Sequence, residues 1–308
     1  MTQTRFVGLR RHVRVLAVIL LTAAAMGCSF PRPSPWASSS ASGTRVATPT
    51  ANPSADDISY GKAMTLFAYD RSRPFDVQER SVTIESGALV HDISYLGAAS
   101  KRSQAYLVMP YGKGPFGAVM YLHGAFSGSS QFLNEAYDLA RRGVASLLIT
   151  QPENNVDPLT DSEAINEIVY EMRELQRSLD LLAGQPDVDP HRLGFVGFSF
   201  GAVRGATFAG VVGNRLRVAV LMSTPPSYHA PAMVSFDPVL WVPHVSPASL
   251  FIQLGKQDTW FTRDEGNSLV AAAKEPKQLV WYDAGHGLNS NAYDDRIGWL
   301  TGLLRADP

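Results

Sequence analysis

Six short apolar runs constrain the fold of this chain more than any other feature of its sequence. Their apolar residues follow one another without regular polar alternation. This pattern indicates strands that are buried on both faces, as in a parallel sheet covered by helices. The runs occupy residues 118–122, 144–149, 193–196, 218–222, 250–254 and 279–282.

Stretches of helical character separate these runs, which predicts an α/β fold with right-handed crossovers. They cover residues 131–142, 161–183, 200–212, 264–273 and 291–304. Upstream, the sequence predicts a short helix, a hairpin around Gly87 and one further strand, at residues 58–70, 81–95 and 104–109. Ligands bind such sheets at the carboxyl ends of the strands, so polar residues that follow the runs are the candidate site residues.

Ser199 stands out among them, because it lies in a Gly-x-Ser-x-Gly pattern between a predicted buried strand and a predicted helix. A nucleophile elbow needs this setting, in which glycines let strand and helix approach closely and the hydroxyl is exposed at the helix N-terminus. We therefore predict that Ser199 is a catalytic nucleophile. The alternative is a glycine-rich turn with a structural serine.

A serine hydroxyl becomes a good nucleophile only beside a base, and His286 is the best candidate for that base. It follows the last apolar run, in a loop with a glycine on either side. An acid must orient this histidine. Asp258 follows the run at 250–254, and the chain order Ser199, Asp258, His286 is a known order of catalytic triads. Asp283 is the rival acid, although its position suggests a turn residue at the end of the last strand.

An oxyanion needs two fixed hydrogen-bond donors, and we predict that they are the backbone N–H groups of Phe200 and Ala125. Phe200 follows the nucleophile, and Ala125 lies in a His-Gly-Ala-Phe loop after the first apolar run. His123 in this loop is either an alternative base or a residue that shapes the loop, and the chain order favours the second role. Aromatic residues beside these positions form either an apolar pocket or part of the core; they are Phe126, Phe198, Phe200, Trp260 and Phe261.

Taken together, these motifs resemble the dienelactone hydrolase-like and prolyl oligopeptidase-like branch of the α/β-hydrolases. The resemblance rests on residues 114–124, 186–202, 254–258 and 284–287. It implies the α/β-hydrolase fold, with a mostly parallel eight-stranded sheet and helices on both faces. True dienelactone hydrolases use a cysteine nucleophile, so Ser199 shifts the expected activity toward the esterases and deacetylases of this branch.

The N-terminal segment is predicted to be an export signal followed by a tether. Four arginines precede an apolar stretch at residues 15–25, which is about half the ~20 residues of a membrane-spanning helix. Residues 25–28 resemble the lipobox of bacterial lipoproteins, which implies lipidation of Cys28, the single cysteine, and an exported protein anchored to the cell membrane. An ordinary secretory signal, with a secreted or periplasmic product, is the alternative. Residues 29–57 are rich in Ser, Pro and Thr and are expected to be a disordered tether.

The expected activity of the catalytic domain, residues 58–308, is hydrolysis of small or short-acyl carboxylic esters. The alternatives are a serine peptidase of the prolyl oligopeptidase-like type and a non-catalytic exported binding lipoprotein. The net charge of -1 offers no broad basic field for a nucleic-acid partner. The sequence implies neither a metal nor another cofactor. Residues 224–247 form either a small cap over the site or an ordinary connection.

Overall fold

The computed structural model of this protein describes residues 59–151, 161–225 and 231–305. The predicted signal segment, the tether and Cys28 lie outside the described residues.

A single nine-stranded sheet organises the described chain, in the order β1-β2-β3-β5-β4-β6-β7-β8-β9. Antiparallel pairing joins β1, β2, β3 and β5, and the remaining pairs are parallel. The strands are β1 (Gln78–Glu85), β2 (Ala88–Leu96), β3 (Arg102–Met109), β4 (Phe116–Leu122), β5 (Val144–Ile149), β6 (Val188–Phe198), β7 (Val218–Met222), β8 (Ser249–Gly255) and β9 (Lys277–Tyr282).

The sheet is mostly parallel, as predicted, but it has nine strands where eight were expected. The number eight came from the resemblance, whereas the predicted hairpin, the strand at residues 104–109 and the six apolar runs together amount to nine strands. The outermost of them is β1, an exposed edge strand that pairs with β2. These two strands form the hairpin that was predicted around Gly87, which has a φ of +81°. Since β1 is exposed along its whole length, its residues carry no continuous apolar run that would mark it as a core strand.

Helices cover both faces of the sheet. Alternate residues of the central strands therefore pack into two separate hydrophobic clusters, one on each face. The helices are α1 (Tyr60–Leu66), α2 (Leu133–Ala140), α3 (Asp161–Ala183), α4 (Phe200–Val212), α5 (Pro238–Trp241), α6 (Arg263–Ala272) and α7 (Ser290–Leu304). Met120 and Ile252 pack with residues of α3, α4 and α6, and their neighbours Tyr121 and Phe251 pack with residues of α2 and α7. No helix among residues 59–151, 161–225 and 231–305 is both long and apolar enough to cross a bilayer.

The segment that follows β7 contributes to the core. Phe236 and Trp241 are buried, and their rings lie 6.0 and 5.8 Å from the ring of Phe67. A β-carbon at Gly210 of α4 would lie 2.7 Å from the carbonyl oxygen of Trp241, so helix and segment touch through their backbones. The described part of this segment is therefore packed against α4 as part of the domain interior.

Candidate active site

The structure places Ser199 in a tight turn between β6 and α4, at the carboxyl edge of the parallel strands. Its φ of 53° and ψ of -121° lie in a region that residues other than glycine rarely adopt. Such backbone strain is expected of a serine in a nucleophile elbow. The turn is fixed by the backbone, because the Ser199 N–H donates to the Met222 carbonyl oxygen at 2.9 Å.

Glycines make this turn possible by letting backbones touch. A β-carbon at Gly197 would lie 2.5 Å from the carbonyl oxygen of Gly201, and one at Gly201 would lie 2.5 Å from that of Leu122. Real β-carbons do not come so close to backbone atoms. The sequence therefore brings β6, α4 and the end of β4 together at a spacing that only glycine permits.

His286 and Asp258 complete a hydrogen-bonded chain that starts at Ser199. Nε2 of His286 lies 2.8 Å from Ser199 Oγ, and Nδ1 lies 2.7 Å from Asp258 Oδ2. A carboxylate can only accept, so Nδ1 carries the proton and Nε2 is left to accept from the serine hydroxyl. The Asp258 side chain is fully buried, whereas 27% of the His286 side chain is exposed. The rival acid Asp283 bonds instead to the amide of Gln257.

The predicted oxyanion donors lie on two segments that meet at Ser199. As the first residue of α4, Phe200 has an N–H with no carbonyl partner inside the helix. The loop that carries Ala125 reaches the nucleophile, since a β-carbon at Gly124 would lie 3.5 Å from Ser199 Cβ. The side chain of Gln131 accepts the Gly124 N–H at 3.0 Å. Within the described residues, no acceptor is recorded for the Ala125 N–H.

His123 is buried within this loop, and both its ring nitrogens are occupied there. Nε2 accepts the N–H of Gln151 at 3.0 Å, so Nδ1 carries the proton and donates to the Gly124 carbonyl oxygen at 2.8 Å. Burial lowers the pKa of His123, and the bond to Gly124 opposes this in part. The imidazole therefore favours its neutral form and shapes the loop, and neither nitrogen contacts Ser199.

Ser223 supports the base, although nothing in the sequence marks it. Its side chain is buried, its φ is +48°, and its hydroxyl donates to the carbonyl oxygen of His286 at 2.6 Å. The preceding residue, Met222, is the one whose carbonyl accepts the Ser199 N–H. Two adjacent residues at the end of β7 thus hold the nucleophile and the base, which fixes the spacing between them.

The aromatic residues around the site do not form one pocket. Phe261 is buried in the core, whereas Phe126 is fully exposed and Trp260 is 68% exposed. The rings of Phe198 and Trp260 lie 5.2 and 5.9 Å from that of His286. The ring of Phe200 lies under a guanidinium group of α4. The site is accordingly open on the side of Trp260.

A separate groove of about 440 Å³ lies between α5, α6 and the turn before α5. No residue of the hydrogen-bonded chain lines it; the lining residues are Val234, Asp237, Val239, Leu240, Asp264, Glu265 and Ser268. The polar chemistry is concentrated at Ser199 instead, where an activated hydroxyl lies beside backbone donors. Such an arrangement can attack a carbonyl carbon and hold the resulting oxyanion. Among the described residues, no group of three His, Cys, Asp or Glu side chains is arranged to bind a metal ion.

The sequence matches no family model and no curated protein. Solved structures of similar fold include acetyl xylan esterase 1 from Thermoanaerobacterium sp., with a TM-score of 0.70 and 15% identity over 82% of this chain and 95% of that one. An acetyl xylan esterase from Paenibacillus sp. has a TM-score of 0.65 and 17% identity over 79% and 93%. Dienelactone hydrolase from Anabaena variabilis has a TM-score of 0.56 and 20% identity over 71% and 100%. At such identities the likeness concerns the fold, and it confirms the fold class predicted from the sequence.

Proposed function

We propose that this chain, which has the α/β-hydrolase fold, is a serine hydrolase that cleaves carboxylic esters through an acyl-enzyme on Ser199. The observation that carries the proposal is the chain of two hydrogen bonds, 2.8 and 2.7 Å long, from Ser199 through His286 to Asp258. The strained turn at Ser199, which places the hydroxyl at the start of α4, adds a second and independent support.

The residues of the site have distinct roles in the reaction. His286 Nε2 takes the proton of Ser199 as Oγ attacks the ester carbonyl, and Asp258 stabilises the imidazolium that forms. The N–H groups of Phe200 and Ala125 hold the oxyanion, and one such donor contributes about 3 kcal/mol. His286 then returns the proton to the leaving alcohol, and it activates the water that hydrolyses the acyl-enzyme.

Small acyl groups, and acetyl in particular, are the proposed substrates. The segment that follows β7 is packed into the core in its described part, so that part does not extend over Ser199 as a large lid. The similarity in fold to two acetyl xylan esterases supports acetylated carbohydrates as the first natural class to test.

Hydrolysis of a nitrophenyl ester series from acetyl to dodecanoyl, by the full-length protein in detergent, tests this proposal. We expect turnover to be fastest with acetyl and to disappear in Ser199→Ala, since loss of a triad serine lowers kcat by about 10⁶-fold in a well-studied serine protease. Ser268→Ala, which removes an exposed hydroxyl on α6, is the matched control and should keep full activity. A folded protein that hydrolyses none of these esters, and does not react with a fluorophosphonate probe, would contradict the proposal. Peptide turnover without ester turnover would favour a peptidase instead.

We also propose that the protein is exported and anchored to the cell membrane through a lipid on Cys28. The support is the arginine-rich start, the short apolar stretch and the lipobox-like residues 25–28. Because Cys28 is the single cysteine, incorporation of an alkyne fatty acid into the wild-type protein and into Cys28→Ala gives a clean test. Label in the wild type alone is expected, together with partition into detergent. An unlabelled wild-type protein found in the medium or the periplasm would indicate an ordinary secretory signal.

A further inference from the structure

We infer that the exposed indole of Trp260 is the binding surface for the alcohol part of the substrate, and that this alcohol is a sugar ring. The inference rests on the proposed function, and it names the substrate class of the same site. Exposure alone would not carry it, because single exposed apolar side chains are common on protein surfaces. The argument comes from where the ring lies, how it is held and what surrounds it.

The proposed role of Trp260 rests on its position near the base that returns the proton to the leaving group. In ester hydrolysis the base that activates the nucleophile returns the proton to the leaving oxygen, so this oxygen must come within hydrogen-bond reach of His286 Nε2. The indole of Trp260 lies 5.9 Å from the imidazole of His286, at an angle of 43°. We therefore place the group attached to the leaving oxygen on the side of the imidazole where the indole is exposed.

The loop that carries Trp260 is held on both sides, so the exposure of the ring does not come from a loose chain. The backbone N–H of Trp260 donates to Oδ1 of the buried Asp258 side chain at 3.0 Å. On the other side, Phe261 is buried, and Thr262 and Glu265 cap α6 through reciprocal hydrogen bonds of 2.7 and 3.2 Å. A surface that is fixed before binding loses little conformational entropy when a ligand binds to it.

The chain on either side of Trp260 favours a polar ligand with one apolar face. Its sequence neighbours Gln257, Thr259 and Thr262 are exposed and polar, and Phe261 is buried in the core. An alkyl or steroid-like alcohol would need an enclosed apolar pocket. A sugar ring instead stacks its C–H face on an aromatic ring and keeps its hydroxyl groups in contact with polar groups and water.

A comparison of two acetate esters tests the inference, because the acyl group is the same and only the alcohol differs. The full-length protein and Trp260→Ala are assayed with an acetylated methyl xylopyranoside and with ethyl acetate. We expect kcat/KM to fall about tenfold or more with the sugar ester, mainly through KM, and less than about threefold with ethyl acetate. Trp260→Phe, which keeps an aromatic face, should recover most of the loss.

Tyr111→Ala is the matched control. Tyr111 is 50% exposed and follows β3, whose last residues pair with the start of β5, so it lies at the sheet edge opposite the site. This variant should behave as the wild type with both esters.

Any of the following results would overturn the inference. An equal loss with both esters would mean that Trp260 supports the His286–Asp258 pair and does not bind the alcohol. No loss with either ester would mean that the ring makes no contact with substrate. In a third assay, with phenyl acetate, a larger loss than with the sugar ester would assign the surface to aromatic alcohols. A wild-type protein that cleaves none of these esters and does not react with a fluorophosphonate would instead contradict the proposed function itself.

Discussion

The nucleophile and the base reach the same point of the site by different means. Ser199 is held by backbone contacts, since Gly197 and Gly201 let strand and helix touch and the Ser199 N–H bonds to a strand carbonyl. His286 is held through side chains, by the carboxylate at Nδ1 and by the Ser223 hydroxyl at its carbonyl oxygen. Close backbone packing leaves a local glycine pattern in a sequence, whereas support from distant side chains does not.

Buried polar groups continue the support of the base into the sheet. The Ser223 N–H donates to the carbonyl oxygen of Gln253 at 2.8 Å. The side chain of Gln253 in turn accepts from Arg296 of α7 at 2.7 Å, and Arg296 also forms a buried ion pair with Glu135 of α2. Four variants, each with a matched control, distinguish support by backbone contacts from support by side chains.

Asp258→Asn removes the acceptor that fixes the tautomer of His286, and we expect kcat for acetyl esters to fall about 10⁴-fold with the fold intact. Asp283→Asn is the matched control, because Asp283 bonds to Gln257 and does not contact the imidazole. It should change kcat by less than about twofold, as expected for an exposed turn residue. The opposite pattern, with Asp283→Asn inactive, would make Asp283 the orienting acid.

Arg296→Met breaks the buried ion pair and leaves the carboxylate of Glu135 without its cation. Removing one partner of a buried pair costs about 3–5 kcal/mol of unfolding free energy, and chemical denaturation would measure this loss. Arg80→Met breaks an ion pair with Asp92 at the exposed edge of the sheet and should cost less than about 1 kcal/mol. Equal losses in the two variants would show that burial does not distinguish these pairs.

Gly201→Ala tests the backbone contact beneath the nucleophile. The new β-carbon would overlap the carbonyl oxygens of Leu122 and His123, which cannot move without shifting β4, so we expect a loss of about 1–3 kcal/mol in stability and a fall in kcat. Gly298→Ala is the control, because a β-carbon there meets open space on the exposed face of α7. It should stabilise the protein by about 0.5–1 kcal/mol. Thermal unfolding of both variants measures the contrast, and a stabilised Gly201→Ala would contradict it.

The same contrast explains how much of the molecule could be predicted from sequence. The buried strands and the long helices were found because their apolar patterns are local, and α3 and α4 have the bounds that were predicted. Ser199, Asp258 and His286 could be singled out because each follows an apolar run, and His286 lies within hydrogen-bond distance of the other two.

Contacts between distant residues left no comparable pattern. The aromatic residues beside the motifs could not be sorted into core and surface without coordinates. Ser223 lies in no recognisable motif, and its role depends on a hydroxyl that meets a carbonyl 63 positions away in the chain. No rule of local periodicity predicts such a contact.

Ser223→Ala tests the side-chain support of the base and should have the smallest effect of the four variants. The Ala variant keeps the β-carbon and loses one hydrogen bond to the His286 carbonyl, so we expect kcat to fall about tenfold with KM nearly unchanged. Ser146→Ala is matched to it, because Ser146 is equally buried in β5 and its hydroxyl has no hydrogen-bond partner among the described residues. Deleting that hydroxyl should leave kcat unchanged and alter stability by less than about 1 kcal/mol. A Ser223→Ala variant with wild-type kcat and a wild-type pH profile would show that the carboxylate of Asp258 positions the base without help from the Ser223 hydroxyl.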